Sequence, residues 1–227
     1  MLGHRGASHA EPENTLAAFE RARDMGADGV ELDVRRTANG TLVVHHDPHI
    51  EGFGLIRDFD FEQLRAAHPE VPTVREALQA CAGMLVNVEI KCLPWEPDPD
   101  SGARPVAHAT VDLIRELDAD VIVSSFDLGS VDAVRAYAPG LTTAWLTSGQ
   151  AVGESAHLAR AAGHEWLNPD RTQAMHASPD LIRDLKRQGL RLSVWTVDDP
   201  HEAQQLAANG VAAIITNEPD TILAALA

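Results

Sequence analysis

The chain has 227 residues and a hydrophobic fraction of 44%, enough for a packed core, so disorder is excluded. Its formal charge of −16 excludes nucleic acid and anionic lipid surfaces as partners, because both demand a basic footprint. No run approaches the ~20 uninterrupted apolar residues of a membrane span, no charged start precedes a long apolar core, and the two cysteines, Cys81 and Cys92, make no disulfide framework. A cytoplasmic protein with no stable membrane association and inert buried thiols is therefore expected. The charge adds one constraint. An anionic substrate would need a local positive site, built from a metal ion or a few well-placed cations.

In chain order, LGHRG reads as a short first strand, and Asn14 or Thr15 can cap the helix LAAFERARDMG, which stops at Gly26. GVELDV is the second strand. LVNVEIK, VIVSSF, TTAWLT, EWLNP, LRLSVWTV and AAIITN read as six more, separated by helical stretches such as SVDAVRAYA, SPDLIRDLKRQG and HEAQQLAANG. TLVVHHD breaks this rhythm. It follows the turn signal Ala-Asn-Gly and reads as a hairpin appended to strand two. Eight βα units remain, the number that closes a (β/α)8 TIM barrel, and no Gly-x-Gly-x-x-Gly follows the first strand to favour an open doubly wound sheet. One domain over residues 1–227 is expected, with a small insertion at about 36–73. A Pro/Asp-rich stretch, LPWEPDPDSGARP, is the one linker-like segment, and its Trp95 is either a rim residue or a plain surface tryptophan.

Active sites of such barrels lie at the C-terminal ends of the strands. The polar residues gather there: His4 and Arg5 on strand one, Glu31 and Asp33 on two, Glu89 and Lys91 on three, Ser125 on four, Asn168 on six, Trp195 and Thr196 on seven, Thr216 and Asn217 on eight. Glu31 and Asp33 are two apart and share a face, and the same parity aligns Glu89 with Lys91. Three converging carboxylates suit a hard divalent cation such as Mg²⁺ or Ca²⁺. The alternative is a set of interior charges paired for structure. His4 and one of His45 and His46 can form an acid–base pair; the two neighbours face opposite sides of their strand, and periodicity leaves the choice open. Of the other histidines, His157, His176 and His201 fall on or beside helices, and His9, His49, His68, His108 and His164 lie in or near loops without an evident partner.

Together, His4-Arg5-Gly6, Pro12-Glu13-Asn14-Thr15, Glu31-Leu32-Asp33-Val34, His46-Asp47, Glu89-Ile90-Lys91, Ser125-Phe126, Trp195-Thr196-Val197 and Thr216-Asn217-Glu218-Pro219-Asp220 resemble the ordered motifs of the glycerophosphodiester phosphodiesterases. The resemblance spans nearly the whole chain. It implies an eight-stranded barrel with an insertion after the second strand. It also implies hydrolysis of small-molecule glycerophosphodiesters to sn-glycerol 3-phosphate and an alcohol. By resemblance, Glu31, Asp33 and Glu89 are ligands of one divalent cation (Mg²⁺, Ca²⁺ or Mn²⁺), and His4 and His46 are the catalytic acid–base pair. Arg5 and Lys91 match cations around the phosphate, and Trp195 matches an aromatic at the mouth. The chain departs from the family in one place: Val71-Pro72-Thr73-Val74 is retained, but the Arg-Thr-Thr stretch common after the His-Asp motif is absent.

Other readings of the same residues are a metal-dependent lyase or isomerase, which leaves Arg5 and the histidines unexplained, and a lysophospholipase D-type enzyme, which needs an apolar groove. A non-catalytic glycerophosphodiester-binding protein would be expected to have lost a histidine or a metal ligand. No feature of the sequence specifies an oligomeric state.

Overall fold

The computed structural model describes residues 1–92 and 104–227, the side chain of Arg104 excepted. Residues 93–103 of the Pro/Asp-rich stretch, Trp95 among them, lie outside the described residues. In chain order the first part contains β1 (Leu2–Gly3), α1 (Leu16–Asp24), β2 (Gly29–Arg36), β3 (Leu42–Val44), β4 (His49–Ile50), β5 (Gly54–Leu55), a 3-10 turn (Ile56–Asp58), α2 (Phe61–Ala67), α3 (Val74–Ala80) and β6 (Leu85–Ile90). The remainder runs α4 (Arg104–Leu117), β7 (Val121–Ser125), α5 (Leu128–Tyr137), β8 (Thr142–Thr147), α6 (Val152–Ala162), β9 (Trp166–Pro169), α7 (Arg171–His176), α8 (Pro179–Arg187), β10 (Arg191–Val194), α9 (Pro200–Asn209), β11 (Ala213–Thr216) and α10 (Pro219–Leu226).

Strands β1, β2, β6, β7, β8, β9, β10 and β11 pair in parallel in that order. The ring closes where Leu2 pairs with both Gly29 and Ile215. This is a (β/α)8 TIM barrel, as expected. The strands are hydrophobic almost throughout because helices cover their outer face while side chains fill the inner one. Val30, Leu32, Val86, Val88 and Val123 pack outward against α1, α3 and α4, while Ile122, Ala144 and Trp166 form a separate apolar plug within the barrel. The caps follow the sequence. Thr15 accepts from the Ala18 N–H at 3.2 Å, Ser178 and Asp199 cap helices that begin with proline, and Gly163 and Gly210 end α6 and α9 in the left-handed conformation.

Three local features differ from the sequence reading. The first strand stops at Gly3, so His4 and Arg5 leave the ladder and turn across the barrel mouth, although the His4 N–H still reaches the Thr216 carbonyl at 2.7 Å. The expected hairpin is present, with β3 antiparallel to β2. The insertion goes on to build the β4–β5 hairpin and α2 around a small core of Val43, Ile56, Leu64 and Val71. Two helices, α7 and α8, connect β9 to β10 in place of one. Cys81 and Cys92 are buried, and burial pushes the Cys81 thiol up to about 12, which makes it unreactive. Among the described residues, no helix is long and apolar enough to cross a membrane.

Candidate active site

At the C-terminal mouth, Glu31 and Asp33 project inward from β2, and the register places Asp33 beside Glu89 on β6. All three carboxylates are buried, and each offers an oxygen within 4.8 Å of the other two. Such like charges coexist only beside positive ones. Lys91 Nζ lies 2.9 Å from Glu89 Oε1 and 3.4 Å from Asp33 Oδ1, and Arg5 Nε lies 3.2 Å from Asp33 Oδ2. Burial alone would raise Asp33, but Lys91 and Arg5 outweigh it and hold the carboxyl below its ordinary range. Glu31 goes the other way. Burial, then the charges of Asp33 and Glu89, raise it well above the usual range, while Arg5 only partly opposes them. Its Oε2 accepts the Arg5 backbone N–H at 3.0 Å, whereas its buried Oε1 has no hydrogen-bond partner. Hard oxygen donors, crowded anions and one unpartnered carboxylate oxygen fit a divalent cation held by Glu31, Asp33 and Glu89.

The β1–α1 segment holds this cluster. Arg5 and Asn14 both adopt left-handed backbone conformations (φ 54° and 58°), an arrangement that non-glycine residues enter at some cost. Gly6 has to be glycine: a Cβ there would lie 2.5 Å from the Ala18 carbonyl carbon. The result is a reciprocal set of bonds. Glu13 takes the Arg5 guanidinium through both carboxylate oxygens at 2.9 Å, and Asn14 Nδ2 donates to Asp33 Oδ2 at 2.8 Å. Pro12-Glu13-Asn14-Thr15 therefore clamps a cation, supports a carboxylate and caps a helix within four residues.

The two histidines are fixed through their Nδ1 atoms. His4 Nδ1 is 2.7 Å from Asn217 Oδ1, which also accepts from Ser8 Oγ at 2.8 Å. Asn217 Nδ2 donates to Asp198 Oδ2 at 2.7 Å, so its oxygen must face His4. His4 therefore carries its proton on Nδ1, leaving Nε2 as the free nitrogen, 3.9 Å from Glu31 Oε2. His46 is held similarly, with Nδ1 2.7 Å from Asp47 Oδ1. Its backbone carbonyl accepts from Arg35 Nε at 3.1 Å. Burial, then neighbouring Arg5 for His4 and Lys91 for His46, lowers the proton affinity of both histidines.

His4, Arg5, Glu31, His46, Glu89 and Lys91 line one cavity of about 580 Å³, together with Phe126, Trp195 and others. Of the eight residues carried over by resemblance, all but Asp33 line this cavity, and Asp33 contacts Arg5, Asn14 and Lys91. His45 does not line it and bonds the Asp47 carbonyl instead, at 2.9 Å. Two strand-end hydroxyls expected at the mouth serve the scaffold: Ser125 Oγ donates to the Ile90 carbonyl at 2.7 Å, and Thr216 Oγ1 to Asp198 at 2.8 Å. Arg35 and Asp198 carried no sequence signal: Arg35 acts on a backbone carbonyl across the hairpin, and Asp198 holds Thr216 and Asn217 from the preceding loop.

Buried carboxylates and cations at a barrel mouth, flanked by two histidines with defined tautomers, define a barrel enzyme suited to phosphate-ester chemistry. Residues 4–221 match the model of the glycerophosphoryl diester phosphodiesterase family, and the chain belongs to that family. A glycerophosphodiester phosphodiesterase of Caldanaerobacter subterraneus subsp. tengcongensis is 32% identical, the match covering 98% of this chain and 96% of that protein. The crystal structure of the glycerophosphodiester phosphodiesterase from Thermotoga maritima is 27% identical, with a TM-score of 0.84 over 98% of this chain and 96% of its own. An Oleispira antarctica phosphodiesterase, solved with the product sn-glycerol-3-phosphate, shares the fold at 23% identity and a TM-score of 0.86, covering 99% of this chain and 95% of its own.

Proposed function

We propose that this chain, as one catalytic domain, hydrolyses glycerophosphodiesters to sn-glycerol 3-phosphate and an alcohol, with His4 and His46 as the acid–base pair. The observation that carries this reading is the meeting of three buried carboxylates, two cations and two tautomer-fixed histidines in one cavity. Glu31, Asp33 and Glu89 would hold one divalent cation, Mg²⁺, Ca²⁺ or Mn²⁺. When bound, the cation supplies charge neutralisation beside the phosphate. The chain's own residues do the rest.

Lys91 and Arg5 are both held protonated. Burial disfavours each charge, but Glu89 and Asp33 outweigh it for Lys91, and Asp33 and Glu31 do so for Arg5. These fixed cations face the charge that gathers on the non-bridging oxygens as phosphorus is attacked. The free Nε2 of one histidine takes the proton of the nucleophile. The bond from phosphorus to the alcohol oxygen breaks, and the other histidine, protonated, returns a proton to that oxygen. The nucleophile is water or the substrate's own glycerol hydroxyl. The second route passes through a cyclic phosphate that phosphorus NMR would detect.

The deciding test uses EDTA-stripped protein with glycerophosphocholine and follows glycerol 3-phosphate release through a coupled dehydrogenase. Release restored by an added divalent cation, and absent in Glu31→Ala, is expected. No release with any cation, repeated on the ethanolamine, glycerol and inositol diesters, would leave the chain as a binder.

A further inference from the structure

Beside the catalytic cavity runs a second one of about 690 Å³, over α7 and between α6 and α8. Ser148, Gln150 and Trp195 line both, so the two are continuous across a shared wall. That wall is fastened in place. The Gly149 N–H donates to Asp170 Oδ2 at 3.2 Å, Gln173 Nε2 donates to the Gln150 carbonyl, and Thr147 Oγ1 donates to Gln173 Oε1 at 3.2 Å. Gln173 is buried, so the groove is a preformed feature that needs no ligand to open it.

The lining restricts the occupant. Its carboxylate, Asp170, is engaged by the backbone N–H groups of Gly149 and Gln173. Its guanidinium, Arg171, is engaged by both oxygens of Glu202 at 2.7 and 2.9 Å. The rest of the lining includes an apolar floor of Val152, Ala177 and Leu181 and a polar wall where the His176 ring and the hydroxyls of Ser148, Thr172 and Thr196 lie near the Trp195 indole. We infer that this groove is the subsite for the alcohol group of the diester, and that it takes an uncharged polyol. The polyol's C–H face would lie on the apolar side chains and its hydroxyls would meet Ser148, Thr172 and Thr196. A quaternary ammonium would find one indole in place of an aromatic cage and a carboxylate already bonded at both oxygens, and an acyl chain would strip water from the hydroxyls without replacing its bonds. The inference rests on the phosphodiesterase reading given above.

Gly153 supplies the test. A Cβ built on it points at Leu181 Cδ2, 3.7 Å away, an ordinary contact inside the groove, and Gly153 does not line the catalytic cavity. Gly153→Phe should therefore fill the groove and leave the chemistry alone. Its kcat/KM on glycerophosphoinositol is expected to fall about tenfold or more, while that on glycerophosphoethanolamine stays within about twofold of the parent. Gly153→Leu, a smaller filling of the same space, should shift the two diesters in the same direction if Gly153→Phe fails to fold. Parallel loss on both diesters, no loss on either, or selective loss on the choline diester or a lysophospholipid would overturn the proposal. If the parent turns over no diester, the phosphodiesterase reading has failed. Calorimetric titration with glycerophosphoinositol then decides the groove: weaker binding to Gly153→Phe supports it, and equal binding overturns it.

Discussion

Glu31 carries a poorly compensated charge. Burial and two carboxylate neighbours oppose its ionisation, and its Oε1 has no partner. Glu31→Gln should therefore stabilise the metal-free protein by about 1 kcal/mol or more, seen in chemical denaturation, while abolishing cation-dependent turnover. A loss of stability in EDTA would mean that the carboxylate is structurally compensated. The histidines yield a paired expectation. His4→Ala and His46→Ala should each lower kcat by roughly 10²–10⁴-fold, whereas His45→Ala should be nearly silent. A leaving-group series then separates the roles, because the variant lacking the general acid should recover on a nitrophenyl diester. Strand alternation was expected to turn only one of His45 and His46 inward, but β3 ends at Val44 and both lie just beyond it; the family resemblance pointed to His46, which lines the cavity. The supports were harder to read. Asn217 stood at a strand end, but its bond to His4 spans 213 positions, and Asp198 behind it lies in a loop.

Among the elements, the strands and most helices were legible because period and punctuation agree: outward-facing Val30 and Leu32 alternate with Glu31 and Asp33, and Gly163 and Gly210 stop their helices. The insertion was less legible. Its two-residue strands β4 and β5 carry no periodic signal, and α2 has one fully buried residue, Leu64. It is attached to the barrel through the segment before α3. The Val44 N–H donates to the Pro72 carbonyl at 2.9 Å, and Thr73 caps α3 while Glu76 reaches back to the Thr73 N–H at 2.8 Å. Thr73→Ala should cost about 1 kcal/mol in denaturant melts. Because the same segment steadies the hairpin carrying His46, a rise in KM larger than any fall in kcat is expected with it.

For the molecule as a whole, the barrel's two ends divide its labour. Carboxylates and histidines occupy the C-terminal mouth, while the N-terminal end holds a stability network. His164, given no partner by the sequence, is buried there. Its Nδ1 is 2.8 Å from Thr143 Oγ1, and its Nε2 is 3.2 Å from Asp132 of α5. Burial lowers its proton affinity more than Asp132 raises it. A histidine with a folded-state value below the unfolded one, about 6.5, binds fewer protons when folded. Its contribution is complete above that pH and is lost as pH falls through the folded value, by at most about 1.4 kcal/mol per pH unit. His164→Gln should flatten the dependence of stability on pH below neutrality relative to the parent. An identical slope in the two proteins would remove His164 from the account.

The ring is closed by β1, two residues long, which bonds to β2 on one side and to β11 on the other. During synthesis, β1 leaves the ribosome more than two hundred residues before its second neighbour. Non-local pairing of this kind is slow and comes late. His4 and Arg5 hang from that strand, and Asn217 follows β11, so the nascent chain can place its acidic cluster on β2 and β6 well before it can orient the first histidine. Catalytic competence should appear abruptly, once β11 is free of the ribosome. Until then, the carboxylates can already have Arg5 and Lys91 beside them, since those contacts all lie within the first 91 residues, but not an oriented His4.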